Sequence, residues 1–147
     1  MRLQPPDYIA RDPSLSGDPS VGVPRSRDGW AILDTGASMS CVVERVAREL
    51  DLLHVDAIAF EVVRPGGERA LREFSRVRHG LLEVLGTGRR ASLQMVEVSS
   101  LGRCDQGPII ALIGRDYLAG AVLTWDGPAG RFALRWPGQS SPGCATS

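Results

Sequence analysis

The chain contains no lysine and no asparagine, so all 17 of its basic residues are arginines. The 17 acidic residues balance them, and both signs are interspersed along the sequence. A net charge of zero indicates no surface built for nucleic acid or for an anionic membrane. We therefore expect neither as a partner, and we attribute the missing residue types to a GC-rich genome, because lysine and asparagine codons are rich in A.

Cysteine and histidine are too few and too scattered for a metal site. The three cysteines, Cys41, Cys104 and Cys144, are far apart and form no CxxC pair. His54 and His79 do not have the spacing of metal ligands. We expect reduced thiols, no metal and no organic cofactor.

Long apolar runs are also missing. The first residues carry one positive charge with no apolar run behind it, which is unlike a secretory signal. No segment approaches the length needed to cross a bilayer. The expected location is the cytoplasm.

The length of 147 residues predicts one domain with a real core. Residues 1–22 combine several prolines with Ser, Gly and Asp, which predicts a flexible N-terminal arm. Residues 137–147 are rich in Ser, Gly and Pro and predict a disordered tail. The folded domain is expected over residues 23–136.

Two apolar segments stand out within that domain. Residues 30–33 (Trp-Ala-Ile-Leu) predict a short strand that ends at Asp34, in a tight Thr-Gly turn. A carboxylate at the end of a buried strand is costly unless its charge is paired or used. Far downstream, residues 109–113 form a second apolar run, which Gly114 closes.

Together these segments resemble the retropepsin-like aspartic proteases, the single-domain gag-polyprotein type that includes bacterial members. The signature of that family is apolar-apolar-Asp-Thr/Ser-Gly-Ala/Ser, with an apolar-apolar-Gly segment near the C-terminal end of the fold. The resemblance spans about residues 30–136 and implies a mostly-β, closed-barrel-like acid protease fold with one helix after the active-site loop.

The pattern of the remaining sequence predicts mainly strands. Apolar residues at helical spacing predict a helix over residues 42–53, which Ser40 is placed to cap. Hairpins are predicted over residues 57–77, 80–98 and 121–136, each closed by Gly-containing turns. One helix among several strands favours a mostly-β domain.

Peptide hydrolysis by carboxylates requires two of them sharing one proton, one as base on water and one as acid to the carbonyl oxygen. The chain has a single Asp-Thr-Gly motif and is too short for two lobes. Asp34 of a second, identical chain must then supply the other half across a two-fold axis. We expect a homodimeric endopeptidase acting on a peptide or protein substrate.

The resemblance also implies roles for residues around Asp34. Thr35 would brace the two active-site loops across the dimer, Gly36 would leave room for substrate backbone, and Ser38 would hydrogen-bond Asp34. Viral members often carry Asp at the position of Ser38, paired with the Arg after the downstream Gly. Here Arg115 is present without that Asp, so the ion pair is absent or remade with Asp116.

Substrate contacts are expected from two regions. One is the pair of apolar strands and the active-site turn, with Ile32, Ala37, Ile110 and Leu112. The other is the tip of the first hairpin, where Gly66 and Gly67 follow Pro65 and would cover the bound peptide as a flap. An ordinary surface hairpin fits that segment almost as well.

Two alternatives stay open. Asp34 is a plain structural cap if its oxygens only accept backbone N–H bonds of the turn. A retropepsin-like fold can also serve as a catalytically weak or inactive dimerisation or peptide-binding module. The intact Asp-Thr-Gly sequence favours activity.

Overall fold

The computed structural model describes residues 1–5, 26–63 and 69–138. Eleven strands and two helices lie in these ranges. In chain order they are β1 (Arg2–Gln4), β2 (Arg27–Asp28), β3 (Trp30–Leu33), β4 (Cys41–Val43), α1 (Glu44–Glu49), β5 (Leu53–Val63), β6 (Arg69–Glu83), β7 (Arg90–Val98), β8 (Arg103–Cys104), β9 (Gly107–Ile113), α2 (Arg115–Leu118), β10 (Val122–Asp126) and β11 (Arg131–Arg135). Neither helix in these ranges is long and apolar enough to cross a membrane.

The main sheet curls because its two ends belong to one stretch of chain. Its strand order is β2-β1-β6-β7-β4-β9-β3, with β5 added beside β6 and β8 beside β9. Only Gly29 separates β2 from β3, so the strands at the two ends of this order are nearly continuous. The backbones of Met1 and Gly29 exchange two hydrogen bonds, of 2.9 and 3.0 Å, at this junction. A mostly-β fold with a curled, half-barrel sheet is thereby confirmed.

The three predicted hairpins are confirmed as antiparallel pairs: β5 with β6, β6 with β7, and β10 with β11. The first two share β6, which runs unbroken through Gly80. A Cβ on Gly80 would lie 3.1 Å from the carbonyl oxygen of Gln4, so the missing side chain lets β1 approach β6 closely. Gly66 and Gly67, the proposed flap tip, lie outside the described residues.

The helix predicted over residues 42–53 is shorter than expected. Val42 and Val43 belong to β4, which pairs with both β7 and β9, and α1 begins only at Glu44. Two sheet neighbours and the β preference of valine override the helical spacing of the apolar residues. Ser40 is not the cap, since Val43 occupies that position without a side-chain cap. The short helix α2 was not predicted.

The N-terminal arm was predicted to begin at Met1, and this is wrong for the first residues. Strand β1 pairs with β6 and with β2, and Leu3 is fully buried. One apolar residue between polar neighbours was enough to place the segment in the sheet. Residues 6–22 of the predicted arm and 139–147 of the predicted tail lie outside the described residues, as do residues 23–25 of the predicted domain.

The core joins side chains of the main sheet to those of α1 and α2. Its members are mostly aliphatic side chains, many of them from five strands and the two helices, together with two aromatic rings. They are Leu3, Val42, Val46, Ala47, Leu50, Leu52, Leu82, Met95, Ile110, Ile113, Tyr117 and Trp136.

A pair of leucines tests this assignment of the core. Leu82 is fully buried in β6, whereas Leu85, three residues on, is exposed. We expect Leu82→Ala to lower the free energy of unfolding by ~2–5 kcal/mol, through lost burial and the cavity it leaves. Leu85→Ala is the matched control and should change it by less than about 0.5 kcal/mol. Urea denaturation of the natural chain and the two variants measures both changes in the free energy of unfolding. Equal changes in the two variants would contradict the described core.

Candidate active site

The two sequence motifs, although far apart in the chain, lie side by side. β3 pairs in parallel with β9, in a register that puts Leu33 opposite Ile113. Because parallel strands end at the same edge of a sheet, Asp34 and Gly114 follow their strands at neighbouring positions. The Asp34 N–H donates to the carbonyl oxygen of Ile113 over 3.0 Å. The candidate site is therefore the loop after β3 together with the end of β9.

The half-buried carboxylate of Asp34 is oriented by its own turn. Its Oδ1 accepts hydrogen bonds from the Gly36 N–H at 2.8 Å and the Ala37 N–H at 3.3 Å. Gly36 has little room for a side chain, since an added Cβ would lie 3.1 Å from that oxygen. Within the described residues, we find no hydrogen bond to the other oxygen, Oδ2. The turn therefore holds one oxygen of the carboxylate, Oδ1.

A second carboxylate links the loop after β3 to the end of β9. The Ser40 hydroxyl donates to Oδ1 of Asp116 over 2.7 Å, and the Ser40 N–H donates to Oδ2 over 2.9 Å. The Gly114 N–H in turn donates to the Ser40 hydroxyl over 3.0 Å. The Arg115 N–H donates to the carbonyl oxygen of Ala37 over 2.9 Å. We call Ser40, Gly114 and Asp116 the loop clasp.

Gly114 has no space for any other residue. A Cβ at this position would lie 2.6 Å from the carbonyl carbon and 2.7 Å from the carbonyl oxygen of Met39. These are backbone atoms, which cannot rotate away as a side chain can. The glycine that closes the second motif is thus explained by the close approach of the loop after β3 to the end of β9.

The loop clasp was missed by the sequence analysis. Asp116 was considered as a new partner for Arg115, but its carboxylate binds Ser40 and the backbone of Tyr117 instead. Arg115 is exposed, and within the described residues it forms no ion pair. The signal available was positional: Ser40 and Asp116 each follow one of the two motifs by a few residues.

The supporting residues named from the resemblance lie on the open side of the loop. Thr35, Gly36 and Ser38 are all exposed. No hydrogen bond joins Ser38 to Asp34 in the described part of the chain, so the bond expected there is not seen in the single chain. Ala37 is half-buried and contributes its backbone to both the turn and the contact with Arg115.

The apolar residues expected to contact substrate divide into two groups. Ile32 is partly exposed on β3 next to Asp34, and Leu112 is half-buried on β9. Ile110 is buried among core residues and packs over Gly29, so it does not line an open pocket as predicted. β9 lies between β3 and β4 in the sheet, and the side chain of Ile110 projects from it into the core.

Cys41 follows the loop, and its surroundings disfavour the thiolate. Burial raises the pKa of its thiol, and the negative charges of Asp116 and Asp34 raise the pKa further. The thiol therefore stays protonated at neutral pH. Among the described residues, no cluster of His, Cys, Asp and Glu side chains has the arrangement of a metal site.

No protein-family model, curated protein or solved structure matches this chain. The resemblance to the retropepsin-like proteases rests on the two sequence motifs.

The loop clasp leads to a matched pair of variants. Ser40 is fully buried and bonds both Asp116 and Gly114, whereas Ser38 is exposed in the same loop. Ser40→Ala removes one of the two hydrogen bonds that Asp116 Oδ1 accepts and leaves the Gly114 N–H without its partner, so it should lower the free energy of unfolding by ~1–3 kcal/mol. Ser38→Ala should change it by less than about 0.5 kcal/mol. Thermal or urea unfolding measures the stability of both variants. A Ser40→Ala protein as stable as the natural chain would show that the loop clasp does not stabilise the fold.

Proposed function

We propose that this protein is an aspartic endopeptidase, which hydrolyses peptide bonds with a water activated by two Asp34 carboxylates, one from each chain of a homodimer. The single observation that carries the proposal is the placement of Asp34. It lies where two parallel apolar strands end together, with one carboxylate oxygen held by two backbone N–H groups of an exposed Thr-Gly turn.

The chemistry explains why one chain is not enough. A water must lose a proton while the scissile carbonyl oxygen gains one, so one carboxylate must be ionised and its neighbour protonated. Asp116 is the other carboxylate nearby, but both its oxygens are engaged by Ser40 and the backbone. The second catalytic carboxylate is then the Asp34 of another copy, and a two-fold axis between the exposed loops places it.

The surroundings of Asp34 favour an extended peptide as substrate. Ile32 presents a partly exposed aliphatic side chain two residues before the carboxylate. An apolar side chain next to the cleaved bond would bury surface there. The β5–β6 hairpin is the proposed cover that excludes water over the bound peptide. No metal or organic cofactor enters this mechanism.

An inactive retropepsin-like module for dimerisation or peptide binding is the second candidate. It is favoured by the two hydrogen bonds that Asp34 accepts within its own turn, since a purely structural cap makes the same bonds. A statine-type peptide, which mimics the tetrahedral transition state, separates the candidates. If the protein is an aspartic protease, this peptide should raise the melting temperature of the natural chain but not that of the Asp34→Asn variant.

Removal of one carboxylate tests the catalytic assignment. Asp34→Asn should abolish cleavage of a peptide library read by mass spectrometry, with activity below about one part in a hundred, while unfolding stays cooperative. Asp56→Asn is the matched control, because Asp56 also accepts a hydrogen bond from a nearby backbone N–H, at Ala57, but lies exposed on β5. Its activity should equal that of the natural chain. Cleavage that survives Asp34→Asn would require another catalytic group.

The dependence of rate on pH is a second test. A pair of carboxylates works only when it holds one proton, so the profile should be bell-shaped with its optimum on the acid side of neutrality. The rising and falling limbs of this profile report the two ionisations of the coupled pair, and neither limb is assigned to one residue. Initial rates from about pH 3 to pH 9, with and without a chelator, provide the measurement. A rate that rises through pH 9 or falls with the chelator would contradict the aspartic mechanism.

Dilution tests the shared site. Activity should follow the square of protein concentration well below the dimer dissociation constant, since only the dimer holds two carboxylates. Mixing the natural chain with an excess of Asp34→Asn protein should inhibit, because mixed dimers hold one carboxylate each. Sedimentation and initial rates over one concentration series give both quantities. A monomer with full specific activity would exclude the two-fold site.

A further inference from the structure

The C-terminal hairpin is built differently from the rest of the molecule. β10 and β11 form a two-stranded sheet of their own, closed by a turn in which Asp126 accepts the Ala129 N–H over 3.1 Å. Two-stranded hairpins are marginal in water unless a further strand or a packed face supports them. Within the described residues, neither outer edge of this hairpin pairs with another strand.

The base of the hairpin is anchored in the core. Trp136, next to β11, is buried and meets the ring of Tyr117 edge-on, with centroids 5.6 Å apart. The guanidinium of Arg89 lies 4.7 Å from the centroid of the Trp136 ring. Leu134 packs against the same cluster. The hairpin is therefore fixed in position at one end.

The other end presents an uncovered apolar face. The register pairs Leu123 with Leu134 and Trp125 with Phe132, so these four side chains share one face. Trp125 is 71% exposed, Phe132 57% and Leu123 41%. Together the three expose on the order of 350 Å² of apolar surface, a size within the range of the largest patch on a typical monomer, which is often functional.

We propose that this face and the free edge of β10 form the contact between two copies of the chain, with the β10 strands pairing antiparallel about Thr124. The proposal rests on the homodimer required by the proposed function. In this pairing Leu123 lies opposite Trp125 of the second copy, and Val122 lies opposite Asp126. The result is a four-stranded sheet with one continuous apolar face.

Charge selects β10 over β11 as the pairing edge. Antiparallel self-pairing of β11 about Ala133 would put Arg131 directly opposite Arg135 of the second copy, twice. Like charges at directly opposite positions destabilise a sheet. The β10 strand carries a single charge, on Asp126, and self-pairing about Thr124 brings no like charges together.

The area limits how tight this contact is. A standard interface buries about 800 Å² on each partner, roughly twice what the three apolar side chains expose. Backbone hydrogen bonds along β10 add affinity without adding apolar area. The dimer should therefore be concentration-dependent, with a dissociation constant on the order of micromolar.

Charge substitutions on β10 test both the surface and the register. In sedimentation velocity on the full chain, Leu123→Glu and Trp125→Arg should each weaken dimerisation about tenfold or more. Phe74→Ser removes an exposed aromatic ring on β6 and is the matched control, with no change expected. The double variant Leu123→Glu/Trp125→Arg puts Glu opposite Arg twice in the proposed pairing and should recover much of the loss.

A cysteine pair gives an answer even where a charge disturbs the fold. Thr124→Cys should form a disulfide-linked dimer under mild oxidation, since directly opposite residues of antiparallel strands have Cα atoms about 4.5–5.5 Å apart. Ala133→Cys, its neighbour on β11, should not exceed the cross-linking of the unmodified chain.

The outcomes separate this proposal from the catalytic one. Each of four results would overturn the β10 contact. They are a monomer at about 200 µM, dimerisation unchanged by both single variants, a double variant that dimerises more weakly than either single variant, and cross-linking through Ala133→Cys instead of Thr124→Cys. A dimer that forms through β10 yet cleaves no peptide would leave the contact standing and remove the endopeptidase.

Discussion

The parallel pairing of β3 with β9 is the contact on which the candidate site depends. It brings together two segments that the chain separates by most of the domain, and it sets Leu33 level with Ile113. The loop after β3 then packs so closely on Gly114 that any side chain there would meet the backbone of Met39. Ser40 and Asp116 fix the same junction with hydrogen bonds from both sides. Under the proposed function, these contacts would orient the Asp34 carboxylate before substrate binds.

Local patterns predicted the strands, the hairpins and the candidate carboxylate, because alternation and turn residues act over short stretches of chain. Where those patterns failed, tertiary contacts determined the structure. Val42 and Val43 have helical spacing but join the sheet, since β7 and β9 offer partners on both sides. Leu3 was predicted to be part of a flexible arm but is fully buried. The local pattern missed this because the partners of Leu3 on β6 lie nearly eighty positions downstream. Ile110 was predicted to face substrate and lies in the core, because its side chain packs among core residues and over Gly29.

The exposed residues of the single chain form a consistent set. Thr35, Gly36 and Ser38 are open beside Asp34, and the hairpin β10–β11 leaves Trp125 and Phe132 uncovered. Under the proposed function a lone carboxylate lacks its acid partner, and apolar surface in water is costly. The two proposals assign both features to association of two copies, one for the carboxylate pair and one for the apolar face.

The stoichiometry of inhibitor binding tests the shared site most directly. A statine-type peptide should be titrated calorimetrically into the natural chain, at protein concentrations where sedimentation shows a dimer. Two chains that build one site bind one inhibitor, so we expect half a molecule per chain, and no binding to Asp34→Asn protein. One inhibitor per chain, or none at all, would contradict an active site made from two Asp34 carboxylates.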